Sequence, residues 1–462
     1  MDDRSKVRTG LAAVAALCVV ATTPGSAGQA WAAPADGAAG ARPYRTEGTS
    51  VQGTSDAAGA PLLKPGLGYV DSIGRGEKRH YSVRLDATSG AYVSAVAAPR
   101  PGAGVVSYQD GVKVTLESPD GATCGSSDRK IEANGVAYPL ADYVARQATS
   151  GSVASCRKAG RYLVTVERGP GSQDPGSWPL ELRLMVEPPV KGGDTGQAPE
   201  ESWRTTPPEL PKGKARSRQG GTGFNDARPL STGVWADQIR PGETHFYRVP
   251  VDWGQRLGAT AELPAAKTEE TAGVNDALGL RVFNPARGLT KKSSFVAYEG
   301  RETPAEADTV PVAYGNRTAR AEYSVRTMSF SGWYYLAVTV NPNVSRFFKG
   351  TVPLTLRVRI SGTAKDGPTY DGDAVRAGFG LTDADRREAA RAPATRDDAV
   401  AVAAGTDKDQ LRLVGYVSYA VGALLLLGLG GWTLAARRRA PGAAGPVPGP
   451  GRHRRYGPPP AW

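Results

Sequence analysis

The sequence contains few of the side chains from which metal centres and histidine-based active sites are built. Of its 462 residues, three are histidine and three are cysteine. This scarcity argues against zinc clusters and iron–sulfur centres, so we expect no cofactor. The 58 glycines and 36 prolines follow no triplet period, which excludes collagen. Their abundance also disfavours long helical bundles, because both residues weaken helix interiors.

Complete catalytic motifs are missing as well. The sequence contains no G-x-S-x-G elbow, no H-E-x-x-H pair and no Walker-type phosphate loop. His80 and His245 occupy adjacent rather than equivalent positions of two similar segments, which favours partly exposed strand histidines over a catalytic base. We therefore predict that the protein is not an enzyme, with a hydrolase of unfamiliar site architecture as the weaker alternative.

The N-terminus has the pattern of a secretory signal peptide. Three basic residues precede the apolar run 11–21, and small residues then lead to an A-x-A motif that ends at Ala32. The apolar run is about half as long as a membrane span requires. We therefore expect export of the chain and cleavage after Ala32.

The C-terminal part contains an apolar segment long enough to span a membrane. Residues 413–436 carry no charge and are followed directly by Arg437, Arg438 and Arg439. These arginines are expected to stay in the cytoplasm. We predict a single-pass protein of the cell membrane, with its ectodomain outside and a basic cytoplasmic tail. Small residues one helical turn apart in the span add the hypothesis of a homodimer through this helix.

The positive charge is concentrated in that tail. Six arginines in 437–462 account for half of the formal net charge of +12. Because this basic cluster adjoins the predicted span, it is explained by topology, and we expect no nucleic-acid binding.

Cys124 and Cys156 are the cysteines that remain after removal of the signal peptide. In an exported protein an isolated pair is most simply a disulfide. A reactive thiol pair is the weaker alternative, because the C-x-x-C spacing is missing.

An internal repeat organises the ectodomain. Residues 71–86 match 237–252 at an offset of 166, and 110–119 match 276–285 at the same offset. Two further blocks match near the end of each copy after small insertions. Apolar and polar residues alternate within each block, which is typical of strands with one buried face. The sequence therefore predicts two tandem β-sandwich or jelly-roll domains.

The order of the repeated motifs carries a family resemblance. Each copy has Gly-Glu, two residues and aromatic-Tyr-x-Val, then Leu-x-Val/Leu-x-x-Pro, then Gly-x-Tyr-x-x-x-Val and a final alternating strand. Over about 70–187 and 232–362, this order resembles the bacterial pre-peptidase C-terminal domain. The resemblance implies small β-sandwiches of the kind appended to secreted enzymes, often proteases, some of which bind matrix polymers, wall polymers or calcium. No peptidase domain precedes either copy.

The predicted fold class is all-β, with two tandem antiparallel β-sandwich or jelly-roll domains and one C-terminal transmembrane helix. The predicted segments are a signal peptide (1–32), a flexible N-terminal segment (33–60), β-sandwich domain 1 (61–187), a Pro/Gly/basic linker (188–222), β-sandwich domain 2 (223–362), a stalk with a short helix around 383–391 (363–412), the transmembrane helix (413–436) and the cytoplasmic tail (437–462).

The densest aromatic group outside the span is Trp333, Tyr334 and Tyr335. At strand spacing, Tyr334 faces the core while Trp333 and Tyr335 share the opposite face, so we predict a binding role for these two. The leading hypothesis is a non-enzymatic envelope protein that displays two binding modules to the cell exterior, for a wall polymer or an envelope protein. The alternative is an accessory subunit or degenerate relative of a secreted peptidase system.

Overall fold

The computed structural model describes residues 38–147, 153–192, 209–268, 270, 272–319 and 323–391. All of them fall within the first of two units into which contacts divide the chain, residues 1–392. The predicted signal peptide, membrane span and cytoplasmic tail lie outside the described residues. Within the described ranges, no helix is long and apolar enough to cross a membrane.

The first sandwich consists of ten strands in two five-stranded sheets. The strands are β1 (Thr49–Ser50), β2 (Leu62–Leu63), β3 (Gly68–Ile73), β4 (Lys78–Leu85), β5 (Gly90–Ala97), β6 (Gly111–Glu117), β7 (Thr123–Lys130), β8 (Leu140–Arg146), β9 (Gly160–Glu167) and β10 (Trp178–Glu187). Sheet 1A has the order β1-β3-β10-β5-β8, and sheet 1B has the order β2-β4-β9-β6-β7. The short strand β1 pairs in parallel with β3, and the short strand β2 pairs in parallel with β4. The other pairings are antiparallel.

The second sandwich repeats this arrangement. Its strands are β11 (Arg216–Ser217), β12 (Arg228–Pro229), β13 (Gly233–Ile239), β14 (Thr244–Val251), β15 (Arg256–Leu263), β16 (Val274–Phe283), β17 (Leu289–Lys292), β18 (Val296–Tyr298), β19 (Thr303–Asp308), β20 (Gly332–Val340) and β21 (Val352–Ser361). Sheet 2A has the order β11-β13-β21-β15-β19, and sheet 2B has the order β12-β14-β20-β16-β17, with β18 also on β16. In the described ranges the α-helices are α1 (Tyr323–Arg326) and α2 (Asp383–Ala390), and short 3-10 helices also occur. The all-β prediction is confirmed for the part of the chain that the structure describes.

Alternation along the strands separates the core of each sandwich from its outer faces. In β14, the side chains of Tyr247, Val249 and Val251 are buried in the core of the second sandwich, whereas Phe246 and Arg248 point to the outer face. This period of two lets each sheet bury one face against its partner sheet and use the other face for a different contact.

The two sandwiches are joined by the outer faces of sheets 1A and 2B. Val96 and Ala141 of sheet 1A form a buried cluster with Phe246, Phe283 and Tyr335 of sheet 2B. By strand order, sheet 1A corresponds to sheet 2A and not to sheet 2B. The junction therefore joins non-equivalent faces of the two copies, and sheets 1B and 2A are the outer layers.

The N-terminal segment that we expected to be flexible is packed from residue 38 onward. Its strand β1 pairs with β3 and so begins the first sandwich before residue 61. The ring of Tyr44 contacts Phe224 and Phe246 edge-on, with ring centroids 6.4 and 5.7 Å apart. Burial of this aromatic ring against the second sandwich explains why a segment of low hydrophobicity is held in place.

The region expected to be a solvated linker, 188–222, is also packed where it is described. Arg216 lies in β11, which pairs with β13, and its guanidinium carbon stands 3.8 Å from the ring centroid of Trp235. Arg218 lies over the same ring at 5.4 Å. The basic side chains thus cover an aromatic side chain through cation–π contacts.

The predicted stalk, 363–412, folds back onto the sandwiches over its described part. Tyr370 forms a β-bridge with Val190, and Phe379 is buried against Tyr92 and Phe330. The short helix predicted in this region is confirmed as α2, which a Thr382 capping box begins.

Candidate functional site at the junction of the two sandwiches

A small cleft opens where the N-terminal segment crosses the junction. Its lining comes from the N-terminal segment (Arg42, Tyr44), from the first sandwich (Pro99, Pro101, Ala137, Pro139) and from the second sandwich (Thr222, Gly242, Thr244). Proline and tyrosine rings make one apolar wall, and two hydroxyl groups and a guanidinium supply polar groups. Since three parts of the chain contribute, the cleft requires that the sandwiches are docked.

A buried charge cluster adjoins the lining of this cleft, because its member Glu243 stands between the lining residues Gly242 and Thr244 in the sequence. His245 is fully buried, and its Nδ1 stands 2.6 Å from Oδ2 of Asp237. Its Nε2 stands 2.8 Å from Oε2 of Glu243 and 2.7 Å from Nη2 of Arg42. Nε2 donates to Glu243 when the ring is protonated and accepts from Arg42 when the ring is neutral.

The neighbouring carboxylates favour the protonated ring. Burial lowers the pKa of His245, but hydrogen bonds with Asp237 and Glu243 outweigh burial and raise this pKa above its ordinary value. Burial raises the pKa of Glu243, but hydrogen bonds from His245 and Arg42 outweigh it and lower this pKa to about 2. The cluster therefore favours the protonated form of His245 between two carboxylates, with the half-exposed Arg42 guanidinium beside it.

Two buried ion pairs join the two sandwiches. Glu181 accepts from Nη1 of Arg287 at 2.5 Å and from the Tyr44 hydroxyl at 3.1 Å. Glu187 accepts from both terminal nitrogens of Arg317, at 3.0 and 3.1 Å. Removal of one partner from such a pair leaves an uncompensated buried charge, so these pairs favour the docked arrangement. The Glu181 pair also holds Tyr44, which lines the cleft.

The structure places the predicted binding residues Trp333 and Tyr335 at this junction. Tyr335 is 8% exposed and packs on Phe224, with ring centroids 5.0 Å apart. Trp333 is half-buried, and its Nε1 donates to Asp385 of α2 at 3.1 Å, while Arg248 lies over its ring. The two side chains do share the outer face of β20, but this chain covers that face. The two side chains therefore offer no open aromatic face for the binding role that we predicted.

The disulfide prediction is confirmed. Cys124 in β7 is bonded to Cys156, in the short turn before β9, with their Cα atoms 5.6 Å apart. Arg437, Arg438 and Arg439 lie outside the described residues, so their role in topology stays a prediction.

Sequence reasoning missed three contributors to this site. Arg42 and Tyr44 lie in the segment that we expected to be flexible, and His245 is buried rather than partly exposed. One signal was present in the sequence, because an Asp, a Glu and a Tyr recur at the same positions of both copies around this histidine. In the described ranges, no group of three or more His, Cys, Asp or Glu side chains is arranged to hold a metal ion.

Comparison with known proteins adds low-similarity structural neighbours. No family model matches the chain, and no curated protein matches it. The chain is similar to the pre-peptidase C-terminal domain of a collagenase from Bacillus anthracis, at 14% identity and a TM-score of 0.18, over 28% of this chain and 99% of that chain. It is also similar to the CBM22-1-CBM22-2 tandem domain of Paenibacillus barcinonensis Xyn10C, at 14% identity and a TM-score of 0.18, over 73% and 100% of the chains. A third is the tandem CBM51 modules of Sp3GH98 from Streptococcus pneumoniae, at 8% identity and a TM-score of 0.17, over 64% and 84%. Because these TM-scores are low, the β-sandwich assignment depends on the sheets described above and not on these neighbours.

Proposed function

We propose that this chain is a non-enzymatic, single-pass envelope protein that presents a saccharide-binding cleft to the cell exterior, with a wall polymer as its ligand. The cleft at the junction is the observation that carries the proposal. It combines an apolar wall of proline and tyrosine rings with hydroxyl and guanidinium groups, which is the mixture that ligand pockets use to orient a polar ligand. The signal peptide and membrane span read from the sequence supply the location.

The lining chemistry suits a sugar ring. The partly exposed rings of Pro101, Pro139 and Tyr44 offer apolar surface to the C–H face of a saccharide. The hydroxyl groups of Thr222 and Thr244 come from the second sandwich. They bond Asp226 and Thr339 and keep lone pairs that can accept from the ligand's hydroxyl groups.

Docking of the sandwiches prepares this site before any ligand arrives. The buried pairs of Glu181 and Glu187 with arginines of the second sandwich hold both walls in place. A wall that is already ordered loses less conformational entropy on binding. The disulfide between Cys124 and Cys156 is consistent with an oxidising location outside the cytoplasm.

Binding of the full-length protein to isolated cell walls tests the proposal. We expect the protein, purified in detergent micelles, to sediment with walls in a saturable manner. Pro101→Trp adds a large ring to the cleft wall and should weaken binding by at least about tenfold, which is about 1.4 kcal/mol. The matched control is Lys113→Trp, which adds the same ring to an exposed position of sheet 1B and should bind normally.

Equal wall binding by both tryptophan variants would contradict the cleft as the site. Failure of the parent protein to sediment with walls would contradict the wall-polymer ligand. External protease applied to intact cells gives the location, because the proposal requires that it removes the sandwiches and leaves the basic tail.

A further inference from the structure

The second sandwich carries positive charge along its two short outer strands. β11 is the first strand of sheet 2A and β12 is the first strand of sheet 2B, so both are edge strands. Arg216 lies on β11, Arg228 lies on β12, and Lys214 and Arg218 flank β11 in the chain. Lys214 and Arg228 are exposed, whereas Arg216 and Arg218 are partly covered. We call these four residues the basic edge.

Helix α2 shows that the two strands lie on the same side of the sandwich. Nη2 of Arg218 donates to the backbone carbonyl of Arg391, directly after α2, at 3.0 Å. Nη2 of Arg248 donates to Glu388 of α2 at 2.6 Å, and Arg248 lies on β14 opposite Pro229 of β12. The end of α2 therefore touches the β11 side and the β12 side together, and the basic edge is one continuous surface.

No carboxylate neutralises the basic edge. Within the described ranges, none of its four side chains forms an ion pair with an acidic residue. Arg216 and Arg218 are held in place by the ring of Trp235, from which their guanidinium carbons stand 3.8 and 5.4 Å. Burial and the neighbouring guanidinium groups of Arg216 and Arg228 lower the pKa of Arg218. Like charges gathered in this way attract an anionic surface.

The charge belongs to the copy from which the chain leaves toward its C-terminus. In the first sandwich, the corresponding edge strands are Thr49–Ser50 and Leu62–Leu63, which carry no charge. The described chain ends at Arg391, against the basic edge, and residues 392–412 connect it to the predicted span at 413. A chain of that length reaches at most about 75 Å. The basic edge is thus the surface beside which the chain departs for the membrane.

We propose that the basic edge docks on the anionic lipid headgroups of the membrane that the span crosses. A guanidinium offers two parallel N–H donors to a phosphate group, and a lysine adds a point charge. Each basic residue near an anionic membrane surface adds to the attraction. The proposal rests on the single-pass topology of the proposed function, but it concerns a surface separate from the cleft.

Lysine footprinting in lipid nanodiscs tests the docking. The full-length protein is incorporated into nanodiscs of phosphatidylcholine alone or of equal parts of phosphatidylcholine and phosphatidylglycerol, and acetylation rates are read by peptide mass spectrometry. We expect acetylation of Lys214 to be at least about threefold slower in the anionic nanodiscs. Sodium chloride at about 1 M should restore the rate, because the Debye length is then about 3 Å. Lys113, exposed on sheet 1B, should react equally in both and is the internal control.

A pair of matched variants assigns the effect to the basic edge. Arg228→Gln removes one charge from the edge and should reduce the slowing at Lys214 by about twofold. Arg84→Gln makes the same change at an exposed position of β4 in sheet 1B and should leave the slowing unchanged.

Equal acetylation of Lys214 in both nanodiscs, or equal slowing in the two variants, overturns this proposal and leaves the topology and the cleft standing. Slowing that appears only after addition of inorganic polyphosphate assigns the edge to a soluble polyanion and overturns the membrane contact. A chain that does not incorporate into nanodiscs contradicts the single-pass topology and this proposal together.

Discussion

In the first sandwich, Asp71 accepts hydrogen bonds from the hydroxyl of Tyr81 at 2.7 Å and from the N–H of Gly53 at 2.8 Å. The residue two before the tyrosine is Arg79, which donates to Glu77 at 2.9 Å and is 23% exposed at its side chain. The group beside this repeated pair therefore has a permanent charge and is open to solvent.

In the second sandwich, Asp237 accepts from the hydroxyl of Tyr247 at 2.5 Å and from the N–H of Gly220 at 2.9 Å. The residue two before the tyrosine is His245, which is fully buried, and Arg42 from the N-terminal segment closes over it. The same repeated pair therefore lies beside a titratable group in one copy and a permanent charge in the other. The comparison shows that both copies kept the hydrogen-bonded Asp–Tyr pair. The residue two before the tyrosine differs between the copies, and only in the second copy does the N-terminal segment cover it.

The outer faces of the two copies diverged in the same way. Phe246 and Tyr335 on sheet 2B correspond to His80 and Leu163 on sheet 1B. Sheet 2B is covered by the first sandwich, whereas the corresponding sheet 1B is an outer layer. Where one copy has Phe or Tyr at an outward position and the other copy does not, that position lies on the face that the other sandwich covers.

Of the substitutions that distinguish the covered face from the outer layer, loss of a junction ion pair should lower the stability most. Glu181→Ala leaves the buried guanidinium of Arg287 without its carboxylate, and we expect it to lower the free energy of unfolding by about 3–5 kcal/mol. The corresponding residue of the outer sheet is Thr355, and Thr355→Ala should change it by less than about 0.5 kcal/mol. Denaturant unfolding measures both values, and equal effects would show that the junction adds nothing.

Reduction of the disulfide should have the next largest effect, and this effect should be confined to the first sandwich. The bond between Cys124 and Cys156 closes a loop within the first sandwich alone. We expect its removal to destabilise that sandwich by about 3–4 kcal/mol, because it frees the unfolded chain. Hydrogen exchange should accelerate in β6, β7 and β9 before it accelerates in β16 or β20. A uniform acceleration in both sandwiches would contradict this order.

The buried histidine should give the second sandwich a pH dependence that the first one does not have. Because the pKa of His245 is raised on folding, its contribution to stability is complete below its unfolded pKa of about 6.5 and is lost as pH rises through its folded pKa. Unfolding measured across neutral and mildly alkaline pH should show this loss, and His245→Gln should remove it. Arg79→Gln, at the corresponding position, should leave the pH dependence in place.

The smallest effect should come from the residue that covers the histidine. The side chain of Arg42 is 42% exposed, so solvent screens its pairing with Glu243. We expect Arg42→Ala to lower stability by about 1 kcal/mol or less and to accelerate hydrogen exchange in residues 38–47. Unchanged exchange in these residues would show that the tyrosine ring alone holds the segment.

The sequence predicted the features that depend on local pattern. Alternation at Tyr247, Val249 and Val251 identified strands with one buried face, and the isolated pair of Cys124 and Cys156 identified the disulfide. Both predictions succeeded because they do not depend on the particular fold. Residues that alternate with period two form a strand with one buried face, and an isolated cysteine pair in an exported protein forms a disulfide.

The sequence failed where the outcome depends on distant parts of the chain. Strand β1 has two residues, which is too short to produce an alternation pattern. Outward aromatics such as Tyr335 look the same in sequence whether a ligand, another protein or the same chain covers them. The charge of Arg42 gave no sign of its contact with His245, because 203 residues separate the two.

Zero-length carbodiimide cross-linking of the unmodified full-length protein tests the docked junction most directly. Lys292 of the second sandwich forms an ion pair with Glu132 of the first, whereas Lys78 and Glu167 pair within the first sandwich at 3.3 Å. The docked arrangement predicts that peptide mapping recovers both cross-links. Recovery of the Lys78–Glu167 cross-link without the Lys292–Glu132 cross-link would show that the sandwiches are not joined at this face, and would contradict the composite site.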